Sequence, residues 1–325
     1  MSQESTRPIG PAAQDFAGES LARAAKRAFH ATRPKFFPAS VLPVVTGSAW
    51  GAYAAQQFDV IVFLLALVAT VCVHAASNVL NDVGDEIIGT DRRNEQRIYP
   101  YTGGSRFIQT GILSQSRMTR LGISLLVIAA LAGVGLLIER GPLILLFGGT
   151  GIVLAVLYSL GPVKLSALGL GELAVGIGLG VLPVVGAAWL QGAAIDTTLV
   201  LFSIPVAIWV AAILLINEVP DIEADAASGK NTLPVRLSLG GTAWLYLGIQ
   251  LTATLIIVLL TVQGILPLLA PLVPVGLFLL ALRASASIRA GVANRDTMTQ
   301  GIESTLAIHT VGCLWLTGCA LFLVW

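Results

Sequence analysis

The stretch 60-VIVFLLALVATVCVHAASNVLNDVGDEIIGTD-91 decides how this chain must be read. It begins as an apolar run long enough to cross a bilayer. It ends in Asn78, Asn81, Asp82, Asp85 and, after Gly89, Asp91. A second stretch, 217-NEVPDIEAD-225, repeats the pattern where another apolar run reaches water. Acids at the end of a membrane helix are costly to keep unless a cation uses them. Two such clusters predict a pair of sites converging on one polyanion through a divalent metal.

Composition agrees with a membrane setting. Of 325 residues, 55% are hydrophobic and 11% charged, and the mean hydropathy is +0.84. A soluble protein carries about a quarter charged residues, so the chain reads as an all-α, polytopic membrane protein. A net charge of +1 gives no reason to expect a nucleic-acid partner. Cys72, Cys313 and Cys319 lie in apolar runs without ligand spacing and read as small core residues. The first 30 residues are polar and show no secretory signal pattern. Residues 1–17 read as disordered. The following 18–33 suit either a basic amphipathic helix on the membrane surface or a solvated tail. The expected organisation is therefore a tail over 1–32 and one transmembrane domain over 33–325.

Nine apolar stretches have the length of spanning helices, at about 38–56, 59–81, 118–138, 142–160, 167–190, 197–218, 241–262, 265–282 and 303–324. The first is the weakest, with Pro38 and Pro43 near its start. The glycines of 169-GLGELAVGIGLG-180 suit close helix packing. No strand precedes them, which argues against a dinucleotide fold. With nine spans, every Lys and Arg except Arg140 falls on one side. That bias predicts a cytoplasmic N-terminus, an external C-terminus and both acid clusters on the cytoplasmic side.

On an ideal helix His74, Asn78, Asn81 and Asp85 lie within about 60° of one another, with Asp82 one step round. Asn217, Asp221 and Asp225 step by four along a second helix end. Such hard oxygen donors suit Mg²⁺, which usually takes one or two carboxylates and leaves positions for phosphate. Basic and turn residues flank both clusters: Arg92, Arg93 and Arg97, then 101-YTGGSR-106 with Arg106, and 229-GKNTL-233 with Lys230; between the fourth and fifth expected spans lies 158-YSLGPVK-164 with Tyr158 and Lys164. A Gly-Gly turn with an arginine offers backbone N–H groups and a guanidinium to phosphate. Taken singly, each Lys or Arg reads as a positive-inside anchor. His74 and His309 read as hydrogen-bonded structural residues. Glu172 lies near the same membrane face and could orient a substrate or a basic residue. No zinc spacing and no nucleophile–base pair is visible.

At these residues the chain resembles the UbiA superfamily of intramembrane prenyltransferases. Asn81 and Asp85 match the first family motif. The third position of that motif is Gly89 here, and its acid comes two residues late, at Asp91. N-D-x-x-D-x-x-x-G-x-D is similar to the branch that prenylates 1,4-dihydroxy-2-naphthoate for menaquinone, as is Asn217–Asp221–Asp225 followed by GKNTL. Pro220 stands where many members of that branch have Arg. The opening 33-RPKFFPASVLPVVTG-47 and the YSLGPVK loop also match the superfamily.

The resemblance implies a bundle of nine helices in a bacterial or archaeal cytoplasmic membrane. It implies that Asp85, Asp91, Asp221 and Asp225 hold Mg²⁺, supported by Asn81 and Asn217. The substrate-binding set it implies is Asn78, Asn81, Asp82, Arg106, Tyr158, Lys164, Asn217 and Lys230, and the partners are a polyprenyl diphosphate and an aromatic acceptor. Other readings of the same architecture are a transferase with another acceptor or a terpene cyclase. A secondary transporter is the reading of another class; it would need acids deep in broken helices and two matched halves.

Overall fold

The computed structural model describes residues 10–160 and 163–322. Residues 1–9, Gly161 and Pro162 of the YSLGPVK loop, and the last three positions lie outside the described residues, so Arg7 and part of the expected disordered tail do too. Among the described residues there is no strand, and the chain is all-helical as its composition requires. The main helices are α1 (Leu21–Ala31), α2 (Pro38–Ala55), α3 (Val60–Ile88), α4 (Gln115–Arg140), α5 (Ile144–Ser159), α6 (Gly171–Leu190), α7 (Thr197–Asn217), α8 (Leu233–Val262), α9 (Leu272–Ala290) and α10 (Arg295–Leu321).

Seven of these are long and apolar enough to cross a membrane. The expected spans at 38–56 and 142–160 are helices α2 and α5, which fall short for different reasons. Helix α5 has only 16 residues. Helix α2 is diluted by Ser40, Thr46, Ser48 and small residues. Those small residues do the packing: a Cβ on Gly47 or Gly51 would collide with the carbonyls of Val184 and Ala188, so only glycine lets α2 lie this close to α6. Helix ends also run past the expected boundaries. Helix α3 continues to Ile88, where Gly89 at φ 85° ends it. Helix α8 starts at Leu233, eight residues early, and contains a kink at Ser238 (φ 60°).

Helix α7 is the axis of the bundle. Of its apolar window 67% is buried, against 22% for α4, so α7 is packed all round while α4 turns most of its surface outward. Helices α6, α8 and α10 pack on α7, and α2 closes the ring between α6 and α10. Helix α3 packs on α4 and α5 at one side. At the acid end the segment after α3 folds back over the bundle, with Ile98, Tyr101 and Phe107 buried. The tail is partly ordered: Ala13–Phe16 form a 3₁₀ turn, and Phe16 packs edge-on against Phe107 at 4.9 Å.

Candidate active site

A cavity of about 150 Å³ opens at the acid end of the bundle. Asn78, Asn81 and Asp85 reach it from α3, as their helical spacing predicts. Asn217, Asp221 and Asp225 reach it from the end of α7, although not on one continuous helix. Glu218 leads into a 3₁₀ turn, Val219–Asp221, and a short helix, Ile222–Ala227. Pro220 has no N–H to continue the α-helical ladder, which accounts for the break.

Asp85 and Asp221 are answered by groups that flank the other stretch, whereas Asp82, Asp91 and Asp225 also find partners near their own. Lys230 Nζ lies 2.5 Å from Asp85 Oδ1 and 3.4 Å from Asp225 Oδ1, with its side chain 8% exposed. Burial opposes its charge, but Asp85 and Asp225 outweigh burial and hold its pKa above the ordinary lysine value. Asn94 Nδ2 donates to Asp221 Oδ1 (2.6 Å), and the Gly103 N–H donates to Asp221 Oδ2 (3.2 Å). Asp91 accepts from Gln109 Nε2 (3.2 Å). Burial, then the neighbouring Asp85 and Asp82, push its carboxyl well above the usual range. The Gly-Gly turn is required here. Gly103 and Gly104 have φ of 66° and 70°, and a Cβ on Gly104 would stand 2.9 Å from oxygens of both Asp82 and Asp91.

Not every expected residue meets the cavity. Asp82 turns behind it and accepts from the Ser105 N–H (3.0 Å) and the Ser105 hydroxyl. Arg106 turns its guanidinium to the backbone carbonyls of Asp91 and Asn94. Lys164 is half-buried outside the cavity lining, whereas Tyr158 lines it. The sequence reading did not single out Asn94, which clamps Asp221. Nor did it single out Arg33, which lines the cavity. Arg97 was noted only as a flanking charge. It is 1% exposed and its three guanidinium nitrogens have no hydrogen-bond partner; burial, then Arg106, lower its pKa to about 10. A run of flanking arginines was the available signal for Arg97, while Asn94 carried none.

Hard oxygens dominate the donor set. Among the described residues no three His, Cys, Asp or Glu side chains stand close enough to enclose a metal by themselves. Of the oxygens on cavity-lining residues, Asn94 Oδ1 and Asn217 Oδ1 are buried without a partner. This set fits an ion that takes few protein carboxylates and completes its shell with phosphate and water. The far wall is apolar, with Phe36, Ala39, Val175, Leu179, Val210 and Ile213.

Known proteins are similar to this chain over much of its length. The model of the UbiA prenyltransferase family matches residues 40–323. The 1,4-dihydroxy-2-naphthoate octaprenyltransferase of Haemophilus influenzae is 38% identical over 213 residues, 63% of this chain and 67% of that protein. The protein of the same name from Mycobacterium tuberculosis is 31% identical over 281 residues, 85% of this chain and 90% of that one. The structure of a UbiA homolog from Archaeoglobus fulgidus bound to DMAPP and Mg²⁺ superposes with a TM-score of 0.65 at 14% identity, covering 88% of this chain and 99% of that one. An apo UbiA homolog from Aeropyrum pernix gives 0.63 at 19%, covering 84% and 96%. These structural likenesses establish the shared fold. With the family's fold and a match over most of its length, this chain belongs to the UbiA prenyltransferase family.

Proposed function

We propose that this protein transfers a polyprenyl group from an allylic diphosphate to an aromatic acceptor, 1,4-dihydroxy-2-naphthoate, in menaquinone biosynthesis. One observation carries the reading: Asp85, Asp91, Asp221 and Asp225 converge with Lys230 at the polar end of a cavity whose far wall is apolar. The relatives' names supply the acceptor.

In this reading Asp85, Asp91, Asp221 and Asp225 would supply the carboxylates for Mg²⁺, one or two to an ion, with Asn81 and Asn217 in support. When bound, the ion supplies positive charge against the diphosphate oxygens. Lys230 adds a fixed ammonium at the same end. As the allylic C–O bond breaks, negative charge grows on the departing diphosphate, and a preorganised cationic site stabilises it. Tyr158 and Asn78 border the diphosphate. Arg106 acts indirectly by fixing the backbone of Asp91 and Asn94, and Lys164 meets the diphosphate only if its loop moves. The apolar wall accepts the first isoprene units and keeps water from the allylic cation.

The distribution of Lys and Arg supports nine crossings, with α2 and α5 completed by their neighbours, and an active site facing the cytoplasm. Exposed Leu21 and Phe29 beside Arg23, Lys26 and Arg27 support α1 as a helix on the membrane surface.

The test is a transfer assay on membranes containing the protein, with labelled polyprenyl diphosphate and 1,4-dihydroxy-2-naphthoate. Prenylated naphthoquinol, formed with loss of the ring carboxylate as carbon dioxide, that needs Mg²⁺ and vanishes in Asp85→Ala is the expected result. Product only from another aromatic acceptor would reassign the acceptor. No product from any acceptor, with diphosphate still bound, would favour a cyclase.

A further inference from the structure

Two polar side chains of the cavity lining take no part in the diphosphate chemistry described above, although Arg33 lies within electrostatic reach of Asp82. One is His74. It lies about 16 Å along the α3 axis from Asp85, room for a diphosphate and a bicyclic ring end to end. Its Nδ1 is 3.0 Å from Ser40 Oγ, and its ring meets Phe37 edge-on at 6.0 Å. The Ser40 hydroxyl donates to the Phe37 carbonyl at 3.0 Å, so Oγ meets the imidazole as an acceptor and Nδ1 carries the hydrogen. Nε2 then keeps a free lone pair, with no hydrogen-bond partner among the described residues.

The other side chain is Arg33. Its backbone is left-handed, φ 57° and ψ 57°, a costly conformation for a non-glycine residue and one that recurs at functional sites. The guanidinium lies 5.1 Å over the Phe36 ring. It spends one bond on the Tyr101 carbonyl (3.1 Å), while its Nε is buried without a partner. Arg33 lines the same cavity as His74 and lies within electrostatic reach of its ring.

The geometry points to an acceptor-reading edge: Arg33 takes the carboxylate of an ortho-hydroxy aromatic acid and His74 Nε2 accepts the hydrogen bond of its neighbouring hydroxyl. A planar fork suits a carboxylate, and a bare imidazole nitrogen suits a phenol hydrogen. The pair restricts acceptors to hydroxyarenecarboxylates. It rests on the prenyl-transfer reading above.

The experiment compares kcat/KM for 1,4-dihydroxy-2-naphthoate, its decarboxylated analogue 1,4-naphthalenediol and its 1-methoxy analogue, in membranes with excess allylic diphosphate and Mg²⁺. A site built around polar groups rejects analogues lacking them, so the wild type should prefer the full acceptor by at least about 100-fold over each. Arg33→Gln should cut the carboxylate preference to within about threefold and leave the hydroxyl preference standing. His74→Ala should do the reverse, and Ser40→Ala, a milder change, should weaken the hydroxyl preference in part. KM for the allylic diphosphate should stay within about twofold in all three, which also reports a folded site. Preferences that survive these substitutions overturn the assignment. So does a tenfold rise in diphosphate KM for Arg33→Gln with the carboxylate preference intact, because Arg33 would then serve the diphosphate. A wild type that makes product without discriminating refutes this inference alone. A wild type that makes no prenylated product from any acceptor refutes the prenyl-transfer reading and this inference with it.

Discussion

The two acid stretches look like copies in sequence and behave differently in the fold. The first rides on one unbroken helix, α3, so Asn78, Asn81 and Asp85 keep their helical register down to the αL cap at Gly89. The second breaks at Glu218 and Pro220, and its acids are carried by a 3₁₀ turn and a short helix. Each stretch keeps contacts of its own, Ser105 to Asp82, Gln109 to Asp91 and Lys230 to Asp225, but neither is complete without the other. Asp85 is paired by Lys230, which follows the second stretch, and Asp221 is clamped by Asn94 and Gly103, which follow the first. Gln96 to Glu223 (2.6 Å) and Arg93 to Ser228 (3.1 Å) extend the exchange at the surface. The lesson is that the duplicated pattern makes one site through reciprocal contacts, because each stretch ends where its own helix can no longer supply partners.

This comparison can be broken at graded points. The largest effect is expected from Asp85→Ala and from Asp221→Ala. Each should lower prenyl transfer by at least about 10³-fold with membrane insertion unchanged, as measured by turnover per inserted protein. Normal turnover in either would mean that the two stretches do not share a substrate.

Next comes Lys230→Met. It leaves Asp85 and Asp225 facing one another in a mostly buried place, and removing one partner of such a pair costs about 3–5 kcal/mol. Thermal unfolding in detergent should show the loss. Adding Asp85→Asn should recover much of the stability but none of the turnover. Additive losses in that cycle would deny the bridge.

Gly104→Ala should cost less, about tenfold in turnover. Its φ of 70° and the crowding on Asp82 and Asp91 force the loop to shift, and the shift should appear as weaker diphosphate binding. An unchanged KM would mean that the turn is not part of the diphosphate cradle. The smallest effect is reserved for Gln96→Ala, at the exposed rim. Surface changes of this kind stay within about 0.5 kcal/mol. A tenfold drop in turnover there would show that the outer contacts, and not only the inner ones, hold the site together.

Part of this was legible in the chain itself. Apolar runs of bilayer length fixed an all-helical membrane protein, because only helices and closed barrels satisfy the backbone in lipid. Helical periodicity placed Asn78, Asn81 and Asp85 on one face, and the two acid stretches named the polar end of the site. Hydropathy by itself did not show that Gly47 and Gly51 of α2 serve close packing against α6. It also missed the break at Pro220, because composition does not register the loss of a single backbone donor.

Pairing across the molecule was decided only by the tertiary structure. Nothing local joins Lys230 to Asp85, 145 positions away, or Asn94 to Asp221, 127 positions away. Nothing local turns Arg106 toward backbone carbonyls while leaving Arg97 buried without a hydrogen-bond partner. Periodicity reports which face of a helix a residue occupies. Which charge answers which is set when helices far apart in sequence pack and exclude the water that would otherwise solvate them all.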